Sequence, residues 1–493
     1  MSKHVIVIGG GISGLAAAHR LTELSRAGPL ELKVTLLEAS DRLGGVIATE
    51  HTDDLLLELG PDSYITDKPA ALRLCERLGL TDRLIAPQHA DGLKLYTVHR
   101  GRLVPLPEGF LLMAPTRVGS VLRSPLFSWS GKLRMGLEPL IPRRSDDGDE
   151  SLASFVRRRL GREVLERVAQ PLIGGIYASD PEHLSLAATM PRFPEMERNH
   201  GSVILGSRQA QKRRAQSTSE TGARWSLFVS IDGGMEVLVR RIEEALGPGV
   251  VRLGEAVREL SWNAEARRWR VGTGRNGSDP GSDELEADAL ICTLPANAAA
   301  NALKTLDSEL ANELKAIPFS STVTVNLAYR RSDIAHPLDG YGCVVPHVEE
   351  RKIMACTFSS VKYAGRAPED VALLRCFAGG TLQADLLDRP DQAVEAQVRE
   401  DLEALLGISG TPTLCRTTRY ADSMPQYNVG HLDRVERIEA RLRQFATLAL
   451  AGKSYRGVGI ADCIAGGEMA AETVIERLTP KNVRTNLLQD TST

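Results

Sequence analysis

Aromatic residues are scarce: Trp, Tyr and Phe make up 4 % of 493 residues. Few platforms for base stacking exist. Charge of one sign is also lacking, since 60 Lys and Arg stand against 63 Asp and Glu, a net charge of −3. Together these exclude a global nucleic-acid-binding surface. Paired cysteines are missing. Cys75, Cys292, Cys343, Cys356, Cys376, Cys415 and Cys463 are scattered, with no CxxC. That set argues against a disulfide scaffold or zinc framework and reads as reduced, mostly buried thiols. Long apolar runs are absent as well. Residues 287–303 are broken by Asp288, Pro295, Asn297 and Asn301, so no membrane span is expected. No charged leader precedes a long apolar stretch. A cytoplasmic location is expected, with peripheral contact at a membrane left open. No repeat of fixed period occurs, which excludes a solenoid.

What is present suits a large globular protein, with 42 % hydrophobic and 25 % charged residues. A single core seldom grows past about 300 residues, so more than one domain is expected. Residues 5–8 are four β-formers in a row, as in a strand covered on both faces. Leu15, Ala16, Ala18 and Leu21 follow at helical spacing. Residues 33–38 form a second buried strand ending in Glu38. Between strand and helix, Gly9, Gly10, Gly11, Ile12, Ser13 and Gly14 spell GxGxxG. One glycine makes the tight turn, one admits a pyrophosphate to the backbone, and one lets helix pack on strand. The helix N-terminus adds unpaired N–H groups and a positive dipole end. Glu38 lies 24 residues beyond Gly14, the offset of a ribose-binding acid. The pattern predicts a mixed α/β fold with a Rossmann-type dinucleotide-binding domain.

Further along, residues 68–80 read as a helix. Residues 85–225 read as proline-interrupted helices, with a helix at 151–168, an acidic loop at 145–150 and a basic polar loop at 207–224. The basic segment is a candidate contact for an anionic lipid surface or an acidic partner. A turn and amphipathic helix follow at 232–247, then strands at 250–260 and 268–272 around a hairpin tip at 274–283. Strands are expected at 289–293, 321–329, 353–359 and 372–377, a helix at 392–406, a strand at 448–455 and a glycine-led helix at 459–478.

Arg42, Gly44 and Gly45 follow Glu38 at once. They resemble the RxGG continuation of the flavin-dependent amine-oxidase-type superfamily. Other stretches resemble the protoporphyrinogen/coproporphyrinogen oxidase family, in particular its bacterial, coproporphyrin-forming members. They are ELGPDS at 58–63, QPLIGGIY at 170–177 with LSL at 184–186, PQYNVGH at 425–431, and GKSYRGVGIADC at 452–463. The resemblance implies FAD as cofactor. It carries FAD contacts to Gly9, Gly10, Gly11, Ile12, Ser13, Gly14, Glu38, Ala39, Arg42, Val46, Gly60, Pro61, Asp62, Ser63, Val257, Val458, Gly459 and Ile460. Val257 would act through its backbone. The substrate wall would include Lys94, Tyr341, Val344 and Phe377. Lys94 stands where animal and plant members resemble a propionate-binding arginine. A surface lysine, and ordinary strand packing for Tyr341 and Val344, stay open as alternatives. Tyr420 stands where the family commonly has Trp.

The implied reaction is the six-electron oxidation of coproporphyrinogen III to coproporphyrin III in heme synthesis, with O2 as acceptor and H2O2 as product. The flavin carries that chemistry, so no catalytic side chain and no metal site is expected. His183, His200 and His431 read as structural. Protoporphyrinogen IX oxidation is the alternative; flavin amine oxidation and a non-catalytic flavin- or porphyrin-binding scaffold are lesser ones. Expected partners are the porphyrinogen and O2, with a chelatase or membrane surface as candidate contacts and no nucleic acid. Residues 1–80, 225–295 and 440–480 would form a discontinuous FAD domain, residues 81–224 a mostly helical substrate- or membrane-side module, residues 296–440 a strand-rich substrate portion, and residues 481–493 a tail.

Overall fold

The computed structural model describes residues 2–88, 94–111, 113–146, 148–221, 227–275 and 283–479. The tail and most of the 274–283 tip lie outside the described residues.

A five-stranded parallel sheet organises one part of the molecule. Its order is Val251–Arg252, Leu32–Leu37, Lys3–Ile8, Ala289–Cys292 and Leu448–Leu450. Alternation divides its central strand. Val5 and Val7 pack with helices Ile12–Ala27 and Ile460–Leu478, through Leu15, Ala461 and Ile464. Ile6 and Ile8 pack on the other side, with Trp269 and Val271 of a three-stranded antiparallel sheet and with helices Ala296–Leu303 and Ser308–Lys315. Burial on both faces explains the unbroken apolar run at 5–8.

The second sheet has seven strands in the order Leu414–Pro425, Phe319–Arg330, Val371–Gly379, Ile353–Phe358, Gly340–Val344, Lys94–His99 and Arg102–Pro105. All neighbours are antiparallel except Gly340–Val344 with Lys94–His99. Helices dominate from Val118–Arg123 through Val203–Thr221. Their core is anchored by Arg159 and Glu138, both fully buried and hydrogen-bonded to each other.

Several expectations need correction. The stretch 81–224 does not begin helical, because Lys94–His99 and Arg102–Pro105 join the seven-stranded sheet. The basic segment at 207–221 is not a loop but part of helix Val203–Thr221. Its Arg, Gln, Ala and Lys residues are good helix formers and no glycine or proline interrupts them. The helix expected at 151–168 breaks after Leu152–Arg159 at Gly161, whose φ is +95°. The strand expected at 250–260 is two strands in two sheets, separated at Gly254 with φ +73°. The strand expected at 448–455 ends at Leu450, before Gly452 with φ +118°.

Candidate active site

The glycine turn is shaped by what surrounds each glycine. A Cβ on Gly14 would sit 1.9 Å from the Gly9 carbonyl oxygen, and one on Gly10 would sit 2.7 Å from Leu43. Those glycines are required by the protein itself. Gly11 differs: no protein atom lies within 4 Å of where its Cβ would be. It caps helix Ile12–Ala27 without any side-chain cap and is bridged to Gly44. The first N–H groups of that helix have no intrahelical acceptor. Open space at a glycine-lined helix N-terminus is a cradle for a diphosphate, so these residues fit FAD.

Glu38 closes one side. One of its carboxylate oxygens accepts the Gly10 N–H at 2.6 Å, and the other accepts the Ser40 N–H and hydroxyl, both at 2.8 Å. Ala39 is exposed beside it. The Glu38 carbonyl accepts the Glu255 N–H at 2.9 Å, which brings the strand carrying Val257 to the same edge. Arg42 folds back on its own loop, donating to the carbonyls of Leu43, Gly45 and Ile47. It staples that loop.

Helix Ile460–Leu478 starts at Gly459, also without a side-chain cap. A Cβ on its Gly467 would sit 2.2 Å from the Ser13 carbonyl oxygen, so the two helices cross closely. The preceding segment is clamped by the PQY…GH stretch. Tyr427 donates to the Lys453 carbonyl at 2.6 Å and accepts the Gly457 N–H at 2.8 Å. His431 stacks on Tyr427 at 3.9 Å, and its Nε2–H donates to the Tyr455 carbonyl at 2.8 Å. Burial pushes the His431 imidazole down, which favours this neutral role.

Residues 58–63 pack against one face of the seven-stranded sheet. Thr324 and Asn326 donate to the Leu59 and Glu58 carbonyls. A Cβ on Gly60 would sit 1.8 Å from the Val46 carbonyl oxygen, which ties Val46 to this turn. Below it lies an ionic network. Asp62 pairs with Lys362 at 2.9 Å and Arg375 at 3.1 Å, and accepts the Ser63 hydroxyl at 2.8 Å. Burial pushes the Asp62 carboxyl up, but Lys362 and Arg375 outweigh it and hold the group well below the usual carboxylate range. Arg375 also donates to the Gly60 carbonyl at 2.7 Å. Glu58 lies buried nearby, accepting from Met235 N–H and Thr49; burial pushes its carboxyl up.

Val344, Ala355, Phe377 and Thr324 lie in register across that face. The Arg375 guanidinium lies 4.9 Å from the Phe377 ring centroid. Tyr341 stands apart. It stands where the register against strand Lys94–His99 slips between Gly340 and Gly342, three residues before Val344 in the same strand. Lys94 pairs with Gly340 across the strands, but its half-exposed ammonium is held by Asp339, which also accepts the Tyr96 hydroxyl at 2.6 Å. The hydrogen bond it donates to Asp339 pushes the Lys94 ammonium up.

Residues 12–475 match the family described as flavin containing amine oxidoreductase. The chain belongs to that family. It is an FAD-dependent oxidoreductase. Its relatives include coproporphyrinogen III oxidase of Bacillus subtilis (strain 168), 35 % identical over 97 % of this chain and 98 % of that one. Human protoporphyrinogen oxidase is 32 % identical, over 96 % of this chain and 99 % of that one. A solved structure from Exiguobacterium sp. 255-15, assigned as a protoporphyrinogen oxidase, superposes with a TM-score of 0.82 at 31 % identity, covering 97 % of this chain and 99 % of that one.

Within this flavoprotein, sequence reasoning missed the Asp62–Lys362–Arg375 network. One signal was available: an arginine inside the apolar strand VALLRCFAG, two residues before Phe377 and hence on its face. Among the described residues, no cluster of metal-ligating side chains occurs.

Proposed function

We propose that this flavoprotein oxidises coproporphyrinogen III to coproporphyrin III, within heme synthesis. The observation that carries this is end-to-end likeness to coproporphyrinogen III oxidases, 35 % for Bacillus subtilis and 34 % for Propionibacterium freudenreichii subsp. freudenreichii. Six electrons and six hydrogens leave the macrocycle in three two-electron steps, and three O2 take them up as three H2O2. FAD, when bound, supplies the two-electron acceptor. The protein supplies placement and dryness. The glycines at 9–14, with Ile12, Ser13, Glu38 and Ala39, hold the dinucleotide. Arg42 and Val46 shape the loop beside it, and the backbone of Val257 borders the adenine. The turn Gly60, Pro61, Asp62 and Ser63 would support the flavin. Val458, Gly459 and Ile460 would offer it a helix N-terminus, whose positive dipole end favours the negative charge of a reduced ring. Phe377 and Val344 offer the apolar wall that a tetrapyrrole face needs. Tyr341 lies at the rim. Lys94 is a carboxylate anchor already half-neutralised by Asp339.

In this reading the FAD domain comprises residues 1–80, 225–295 and 440–480, with strands 94–105 assigned to the substrate sheet instead of the helical module. Protoporphyrinogen IX is the second substrate to test, because human protoporphyrinogen oxidase is 32 % identical. Steady-state kcat/KM of the purified enzyme on both porphyrinogens decides between them. Preference for coproporphyrinogen III is expected; a more than about tenfold preference for the divinyl substrate overturns it.

Peripheral contact with an anionic membrane surface is part of the same proposal. Trp129 and Leu140 are 75 % and 78 % exposed, and Val118, Leu122, Leu133 and Leu137 are exposed beside them. Residues 117–144 hold six cations and a single acid, Glu138, which is fully buried. No helix among the described residues is long and apolar enough to cross a membrane. Exposed apolar side chains amid cations suit a lipid surface better than a chelatase. Co-sedimentation with vesicles containing phosphatidylglycerol, abolished in Trp129→Ser/Leu140→Ser, is the expected result. Equal binding of the variant contradicts it.

A further inference from the structure

Strand Leu448–Leu450 runs out at Gly452, and Lys453 follows. A Cβ on Gly452 would sit 3.4 Å from the Thr293 carbonyl oxygen and 4.0 Å from the Ser13 hydroxyl. The chain is therefore laid against the first turn of helix Ile12–Ala27. The Lys453 carbonyl is fixed by the Tyr427 hydroxyl. Its side chain is half-buried, and its ammonium makes no hydrogen bond or ion pair with any described residue. Asp462, the acid of the adjoining helix turn, is occupied by Lys68 at 2.6 and 2.7 Å. Burial pushes the Lys453 ammonium down, and only the Cys463 sulfur acts against this. Burial pushes that thiol up to about 11, so it is neutral at physiological pH and balances nothing. Lys453 thus follows a residue laid beside the Ser13 hydroxyl, and Ser13 stands two residues from Gly11 and its open cradle.

A half-buried cation with no counter-charge is costly unless a ligand supplies one. A diphosphate in the Gly11 cradle would place two negative charges at this point. We infer that Lys453 is a cofactor-binding residue whose ammonium meets the FAD diphosphate. The inference rests on the cradle proposed above. The Tyr427 clamp holds the Lys453 carbonyl and not its ammonium, so the charge can be removed with the clamp's hydrogen bond left in place.

The test uses full-length apoprotein and its reconstitution with FAD, by calorimetry. ADP, which carries the diphosphate without the flavin, is read by its competition with FAD. Lys453→Met is expected to weaken both FAD and ADP by about 10- to 100-fold, the range for a charge-assisted hydrogen bond. Lys453→Arg should recover most of the loss, and the reduction potential of flavin bound to Lys453→Met should match wild type. Unchanged FAD affinity in Lys453→Met overturns the inference. Loss of FAD with unchanged ADP, or a shifted potential, places the ammonium on the flavin ring and overturns it too. A wild-type chain that takes up no FAD would instead refute the cradle.

Discussion

The glycine turn and the ionic network beneath residues 58–63 flank the same proposed site and are built in opposite ways. The turn is made of backbone. Its positions matter for what is missing from them, and each demand is local. The network is made of side chains drawn together from far apart: Asp62 and Lys362 are 300 residues apart in sequence. One region holds a ligand by leaving room. The other holds a turn by spending charge, and it would fail if one charge were left alone.

The largest effect is expected where the turn has no room. Gly14→Ala puts a Cβ 1.9 Å from the Gly9 carbonyl, against backbone that cannot yield. We expect a loss of about 4 kcal/mol or more and no flavin in the purified protein, read by thermal unfolding and absorbance. A folded, yellow Gly14→Ala protein would break the backbone half of the comparison. Next comes Arg375→Met, which leaves Asp62 with one cation and the Gly60 carbonyl without its donor. Removing one partner of a buried pair costs about 3–5 kcal/mol, measurable by urea unfolding. A loss under 1 kcal/mol, about one exposed ion pair, would mean the network is ornamental.

Asp62→Asn should cost about 1–3 kcal/mol at neutral pH, with a defined pH dependence. The folded carboxyl titrates below its unfolded value. Its contribution is therefore complete above the unfolded pKa of about 4 and fades as pH falls below that. The wild-type advantage over Asp62→Asn should shrink from pH 5 to pH 3, values chosen to straddle about 4. A constant difference contradicts the assignment. Tyr427→Phe removes two hydrogen bonds at the closing segment and should cost about 1–2 kcal/mol.

Gly11→Ala is expected to change stability least and sharpens the comparison most. Its Cβ meets no protein atom within 4 Å. The unfolding midpoint should stay within about 0.5 kcal/mol of wild type, while FAD retention falls at least about tenfold, or about 1.4 kcal/mol. Equal loss of both would make Gly11 another steric glycine.

The same contrast explains what was legible in the sequence. The βαβ unit was legible because residues 5–8, Gly14 and Glu38 each answer to a neighbour in the chain or to a fixed offset. The PQY…GH stretch was legible only as a motif; that Tyr427 bridges the Lys453 carbonyl and the Gly457 N–H emerges only in the folded chain. Arg375 was hidden because pairing between a strand and a distant turn leaves no spacing in sequence. Gly254 was hidden in a run of strand formers, so two strands in two sheets read as one. The stretch at 207–221 was misread because it is polar after the apolar start of its helix, and polarity without periodicity resembles a loop.

The account's central claim is that the backbone cradle and the apolar sheet face meet around one flavin that accepts electrons from a porphyrinogen. Its most direct test is the anaerobic half-reaction: holoenzyme mixed with coproporphyrinogen III, followed by flavin absorbance. The account predicts that the yellow colour bleaches, and that admitting O2 restores it with one H2O2 per flavin. A flavin that stays oxidised in the presence of the porphyrinogen would contradict it.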